Sequence, residues 1–250
     1  MRTEPKLPCR EPRAPVLATT SWTNLTEDEA RAHILGGGSL CVSGQAGTGK
    51  SHFLMSTLRE MEQSGKRVAR TAKTHAASAR IDGQTLDSWT RQSVMKGFVN
   101  IDVLWVDEYS LVDASQWCHL CTLHYNPEPV QVILSGDWNQ LAPVDSRYKG
   151  TAILRQTAQN SWLFWRLCGG HRLTLTECRR SASEGELFAF YSSLAEGGSR
   201  EHTQLEACIG EAMAIFPVRG QADYYLCVSH AKRKAINRRL MNTLRPKGST

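Results

Sequence analysis

The sequence predicts an α/β fold, a parallel sheet with helices on both faces. Three observations carry this prediction. Short strand-like runs recur along the chain at Ser39 to Ser43, Arg67 to Thr71, Val103 to Val106 and Val130 to Leu134. Segments of helical spacing separate them, and strands that alternate with helices pair in parallel through right-handed crossovers. A glycine-rich loop joins the first of these strands directly to a helix, the place where such sheets present ligands.

Taken in order, residues 1–22 are rich in Pro and Arg, lack an apolar central stretch and carry Glu4 and Glu11. They read as a disordered leader and not as a secretory signal. Leu25 to Leu35 is a short helix opened by Thr26, with Glu29 at the acidic position of a capping box. Gly36-Gly37-Gly38 is a turn, and SLCVS over Ser39 to Ser43 has the apolar character of a buried strand. Lys50 to Gln63 is helical through Phe53, Leu54, Leu58 and Met61. After the strand to Thr71 come a small-residue helix at Ala76 to Ala79, the strand Val103 to Val106, a helix over Ala114 to Leu123 and the strand to Leu134.

Past Ser161 the pattern restarts. A helix at Trp162 to Leu167, a short run at Leu173 to Leu175 and a helix from Glu184 to Leu194 are followed by a strand at Tyr225 to Val228 and a basic helix from Ala231 to Leu244. This second set is too short to close a sheet. The expected division is a leader over 1–22, one whole domain over 23–160 and part of another over 161–250.

Bulk properties narrow the class. No apolar run approaches the ~20 residues of a membrane span. The net charge of +6 resides at the C-terminal end. Residues 228–250 hold Lys232, Arg233, Lys234, Arg238, Arg239, Arg245 and Lys247 and no acid, so the rest of the chain sits near −1. A phosphate backbone and plain solvent are both compatible partners for that stretch. Eight cysteines without framework spacing read as reduced thiols of an intracellular protein, cytoplasmic or nuclear, with an organelle left open. Cys118, Cys121 and His124 fall at helical spacing without a second ligand pair and are expected to be metal-free.

Three segments carry chemistry. Gly44-Gln45-Ala46-Gly47-Thr48-Gly49-Lys50-Ser51 fits G-x-x-x-x-G-K-[ST] between a strand and a helix. Glycines let backbone N–H groups curl around phosphate oxygens, and the helix N-terminus adds a favourable dipole. Lys50 suits the β- and γ-phosphates of ATP, and the Ser51 hydroxyl suits Mg²⁺. Asp107 and Glu108 end the run Val103 to Val106; Asp107 can hold the Mg²⁺ shell and Glu108 can polarise water, while two acids capping the next helix is the plainer alternative. The third, Leu134 to Val144 (LSGDWNQLAPV), places Gln140 where it can contact a γ-phosphate, although by itself it is an ordinary strand exit.

The order GQAGTGKS, TAKTHAASARIDGQTLDSW, LWVDEYSLVD and LSGDWNQLAPV resembles the successive motifs of superfamily 1B DNA helicases, in particular the PIF-type branch. Leu175 to Arg180 (LTECRR) is similar to that family's fourth motif, and Leu226 to Asn237 resembles the segment that opens its second domain. The resemblance implies a RecA-like P-loop NTPase domain plus a partial second RecA-like domain, ATP between the two, single-stranded or forked DNA across their tops and 5′-to-3′ movement. It assigns γ-phosphate contact to Arg180 by register, with Arg179 possible, and DNA contact to Thr71, Thr74, Ser88 and Trp89. Helix capping by the hydroxyls and core packing by Trp89 are the alternatives at those positions.

Departures from the family pattern are visible. Leu25 to Glu29 contains no Gln to read adenine, His75 replaces a common Gly, and Asp87 replaces a common His, which is unfavourable beside a phosphate backbone. No later motifs follow the basic helix, so this chain alone is expected to bind ATP and DNA without separating duplexes. The oligomeric state is left open. A nucleotide and DNA binding module without turnover is the second reading. A small-molecule kinase is the third, and it leaves Glu108 and GDWNQLAPV unexplained.

Overall fold

The computed structural model of the chain describes residues 21–97, 99–140, 147–148, 151–152, 159–179, 185–196, 202–217, 227 and 229–244. They fall into two units, divided between Glu196 and Gly197. The first contains β1 (Thr23–Leu25), α1 (Glu27–Leu35), β2 (Leu40–Gly44), α2 (Lys50–Gln63), β3 (Val68–Ala72), α3 (His75–Arg80), β4 (Gln84–Thr85) and α4 (Leu86–Gln92). It continues with β5 (Val103–Asp107), α5 (Ala114–Cys121), β6 (Gln131–Gly136), the antiparallel pair β7 (Arg147–Tyr148) and β8 (Thr151–Ala152), α6 (Trp162–Leu167), β9 (His171–Leu175) and α7 (Gly185–Glu196). The second unit holds α8 (His202–Ile215) and the basic helix α9 (His230–Leu244). No described helix is long and apolar enough to cross a membrane.

Seven strands form one sheet in the order β1-β9-β2-β6-β5-β3-β4, every pair parallel. Side chains alternate across a strand, and both faces here are apolar. From β5, Val103 and Trp105 join one core with α1 and α2, while Leu104 and Val106 join another with α4, α5 and α6. On β6, Ile133 faces the first core and Val132 and Leu134 the second. The helical spacing of Phe53, Leu54, Leu58 and Met61 puts the apolar stripe of α2 on the first face, all four buried. Both layers therefore follow from the strand–helix alternation.

Helix starts are fixed locally. Thr26 and Glu29 form the expected capping box of α1, and Thr74, Thr85, Asp113 and Ser161 cap α3, α4, α5 and α6 by accepting backbone N–H bonds. The expected division at residue 160 does not hold. β9 lies between β1 and β2, with Leu173 beside Val42 and Asn24 beside Arg172, because its apolar Leu173 and Leu175 complete the first core. Trp22, the last residue of the expected leader, packs on Phe164 at 5.8 Å between ring centroids and carries Arg172 over its face. The expected strand Tyr225 to Val228 lies outside the described residues except for Cys227, and the leader before Ser21 lies outside them entirely.

The start of β3 is tied to that of β5. The Arg67 backbone N–H and guanidinium both donate to Asp102 Oδ2, at 2.7 and 3.0 Å, and Asp102 N–H donates to the Arg67 carbonyl. The Arg67 guanidinium, then its backbone N–H, holds the Asp102 carboxyl well below the usual carboxylate range. Since the folded value lies below the unfolded one, this stabilisation is full above the unfolded pKa and is lost as pH falls toward the folded value. The difference in urea midpoint between wild type and Asp102→Asn is accordingly expected to be constant from neutrality down to about pH 5, and to shrink as pH falls below about 4.

Candidate functional site

The loop from β2 to α2 curls around a cleft of about 720 Å³. Gly47 and Gly49 have φ of 89° and 90°, a left-handed backbone that a side chain strains. At Gly44 a Cβ would lie 2.5 Å from the Leu175 carbonyl oxygen, so only glycine fits between loop and β9. Thr48 is buried and closes the loop by donating its hydroxyl to the Gln45 carbonyl at 2.9 Å. Lys50 Nζ donates to the Gly44 and Gln45 carbonyls at 2.6 and 2.8 Å. The first turn of α2 contains no acid, so nothing there opposes an anion at the helix N-terminus. From α7, Tyr191 donates to the Ala46 carbonyl at 2.8 Å and Ser192 to Gln45 Oε1 at 2.6 Å.

Asp107 reaches the same cleft from the end of β5 and is only 5% exposed. A buried carboxylate needs partners, and these are built in series. Trp105 Nε1–H donates to Ser135 Oγ at 2.7 Å, and Ser135 Oγ–H donates to Asp107 Oδ1 at 2.6 Å. The Ser51 hydroxyl donates to Asp107 Oδ2 at 3.4 Å. Ser51 and Asp107, the pair assigned to magnesium, thus converge, and a hydroxyl beside a carboxylate is the hard-oxygen set that this ion takes. Glu108 follows in left-handed backbone at φ 56°, rare for a residue with a side chain, and it lines the cleft. Its Oε1 accepts from Arg80 Nη2 at 2.7 Å.

Gln140 and Arg179 also line the cleft. Arg179 N–H donates to the Gly47 carbonyl at 2.8 Å, its side chain passes over Gly49, and its guanidinium pairs with Glu27. Arg180, favoured by register, lies outside the described residues, as does Leu141 to Val144. The described arginine of LTECRR at the loop is therefore Arg179. Sequence reasoning passed over Arg80, Ser135, Trp105, Tyr191 and Ser192. Arg80, Trp105 and Ser135 each lie within one of the quoted motifs, whereas Tyr191 and Ser192 lie in none.

Of the four positions assigned to DNA, two face the core. Thr71 is fully buried and spends its hydroxyl on the Trp105 carbonyl at 2.8 Å. Trp89 is 2% exposed among Leu86, Leu104 and Val106. Strand alternation and the apolar stripe of α4 turn both inward, which corrects their assignment as DNA contacts. Thr74 is exposed and caps α3, and Ser88 is half-buried, accepting from Gln92 Nε2 at 3.0 Å. Asp87 is compensated: Lys73 Nζ lies 3.2 Å from it, and Gln116 Nε2 donates to it at 2.8 Å. Cys118 is exposed and Cys121 half-buried on α5, and no described group of three His, Cys, Asp or Glu could hold a metal.

Known proteins share this arrangement. An AAA domain matches residues 26–207, more than half the chain. The chain belongs to this AAA domain family. Among curated relatives, the ATP-dependent DNA helicase PIF1 of Rattus norvegicus is 30% identical over 204 residues, 71% of this chain and 30% of that protein. The ATP-dependent DNA helicase PIF3 of Trypanosoma brucei brucei is 33% identical over 149 residues, 52% and 18% of the two chains. The chain thus spans less than a third of the length of either. The crystal structure of the Candida albicans Pif1 helicase has a TM-score of 0.67 at 22% identity, covering 87% of this chain and 54% of that one. Bacteroides Pif1 bound to single-stranded DNA gives 0.59 at 22% identity, covering 89% and 55%. The RecA-like P-loop fold is shared with these structures.

Ser135→Ala removes the middle of the Trp105–Ser135–Asp107 series and strands a buried donor and a buried acceptor. It is expected to lower stability by about 1–3 kcal/mol for each group left without a partner, read by urea denaturation. A change within error would show that the series carries no such load.

Proposed function

We propose that this chain forms the ATP-binding and hydrolysing part of a PIF-type DNA helicase that moves 5′ to 3′ on single-stranded DNA. One observation carries the reading: the glycine cradle, Lys50, Ser51, Asp107, Glu108 and Gln140 border one cleft. The cradle and the start of α2 suit the phosphates, with Lys50 turning from loop carbonyls to their charge. Magnesium fits the Ser51 and Asp107 oxygens, and when bound it supplies positive charge to the phosphate oxygens. Glu108 accepts a hydrogen bond from the attacking water and so aims it. The water oxygen bonds to the terminal phosphorus as the bond to the bridging oxygen breaks, giving ADP and phosphate. Gln140 and Arg179, which line the cleft, are read as the groups that sense loss of that phosphate. The paired carboxylates favour hydrolysis over the binding-only alternative.

We infer DNA contact in the first unit at the exposed Thr74 that caps α3 and at Ser88. In the second unit, taken by itself, the described cations of α9, Lys232, Arg233, Lys234, Arg238 and Arg239, suit a phosphate backbone. Backbone contacts of this kind weaken with salt.

Lys50→Ala is expected to weaken Mg-ATP binding by about 2–3 kcal/mol in calorimetry. Glu108→Gln is expected to keep ATP affinity while turnover drops by about 10² or more. Equal affinity in wild type and Lys50→Ala would sink the cradle assignment. A Glu108→Gln protein hydrolysing at the wild-type rate would rule out Glu108 as the water-orienting group, and ATP binding without turnover in the wild type would leave only the binding module. A forked duplex with a 5′ single-stranded tail is expected to stay paired when this chain and Mg-ATP are added, and robust strand separation that disappears in Lys50→Ala would overturn that expectation.

A further inference from the structure

Glu108 does not stand alone at the cleft. Its Oε1 accepts a 2.7 Å charge-assisted bond from Arg80, the last residue of α3, and both side chains line the cleft. A carboxylate aims and polarises a water through its lone pairs. A guanidinium on one of its oxygens occupies one acceptor direction and draws charge from the other. The pair is also easy to open. Arg80 is 67% exposed while Glu108 is 22% exposed, so one partner is anchored and the other is tethered only by its stem. Exposed pairs of this type are weak and exchange readily.

The anchoring is asymmetric in the backbone as well. Glu108 sits in left-handed backbone between β5 and the buried Tyr109, so the point from which its side chain leaves is fixed by the sheet. Arg80 rides a helix of six residues whose buried side chains are small, Ala77 and Ser78, with Ile81 packed just beyond its end. The opposite end of that helix is Thr74, exposed and capping. Whatever grips Thr74 therefore acts on the element that carries Arg80.

We propose that Arg80 is a positioning residue that restrains Glu108, so that hydrolysis quickens when the pair opens, and that contact of DNA with the start of α3 opens it. The inference rests on the hydrolytic reading given above. It makes α3 the link between the strand-binding surface and the water-orienting carboxylate, and it gives the Arg80 position a role that surface exposure alone would not.

The test uses the 250-residue chain with Arg80→Ala and Arg80→Lys, Mg-ATP, and an oligothymidylate as the DNA. Without DNA, Arg80→Ala is expected to turn over about tenfold faster than wild type, and stimulation by the oligonucleotide should shrink in proportion. The KM for ATP should move by less than about twofold, because Arg80 acts through Glu108 and not on binding. Arg80→Lys, which keeps the charge, should retain most of the restraint. In a Glu108→Gln background, Arg80→Ala should add nothing, a non-additivity that a merely structural effect would not show. Turnover of Arg80→Ala at or below wild type without DNA, or an equal gain in the Glu108→Gln background, would overturn the proposal. Absence of turnover in both wild type and Arg80→Ala with ATP still bound overturns it too. Failure of the broader reading looks different: no ATP binding in calorimetry, or turnover that Lys50→Ala leaves intact.

Discussion

The burial of Asp107 is the constraint on which the site depends. A carboxylate at 5% exposure is tolerable only where polar partners are already in place. Parallel register supplies them, because Val106 lies beside Leu134 and so brings the next residue of each strand, Asp107 and Ser135, within 2.6 Å. The indole of Trp105 then satisfies Ser135 from the same strand that carries Asp107. On the other side the carboxylate meets Ser51, the first residue after the lysine of the loop. Sheet register, the Trp105 indole and the cradle thereby meet at one acid.

Much of this was legible in the residues. Strand and helix alternate at lengths that leave little freedom, and the helix from Lys50 to Gln63 was delimited by its loop and its apolar spacing alone. Lys50, Ser51, Asp107, Glu108 and Gln140 border one cleft because their segments follow strands, and parallel strands end along one edge. Short elements were harder. β1 is three residues and β4 two, below the length at which periodicity distinguishes a strand. Thr71 and Trp89 were misassigned because residue type describes what a side chain can touch, whereas its direction is set by the strand pleat and by the helix face.

Long-range pairing was not legible either. Asp87 looked repulsive in sequence, yet Lys73 and Gln116, 14 and 29 positions away, surround it. Lys73 is shared with Asp113, whose carboxyl burial alone would push up; the Lys73 and Gln116 N–H bonds outweigh that and leave it below its ordinary value. The same blindness applies to Arg80 and Glu108, 28 residues apart and linked only by the fold. Composition near a motif does not disclose its electrostatic partners.

The place of β9 has a bearing on how the protein is made. Residues 171–175 enter the sheet beside β2, about 130 positions after it, so a central seam stays open until most of the first unit has left the ribosome. Gly44 meets the Leu175 carbonyl, Arg179 holds the Gly47 carbonyl, and Tyr191 and Ser192 reach Ala46 and Gln45, so all of these walls of the loop come from residues after position 170. A nascent chain that stops short of Leu175 presents β2 with one unpaired edge and a loop without its backing. Emerging chains of this kind are the ones most exposed to mispairing and to chaperones. The phosphate loop is thus backed by segments that are among the last of the first unit to be synthesised.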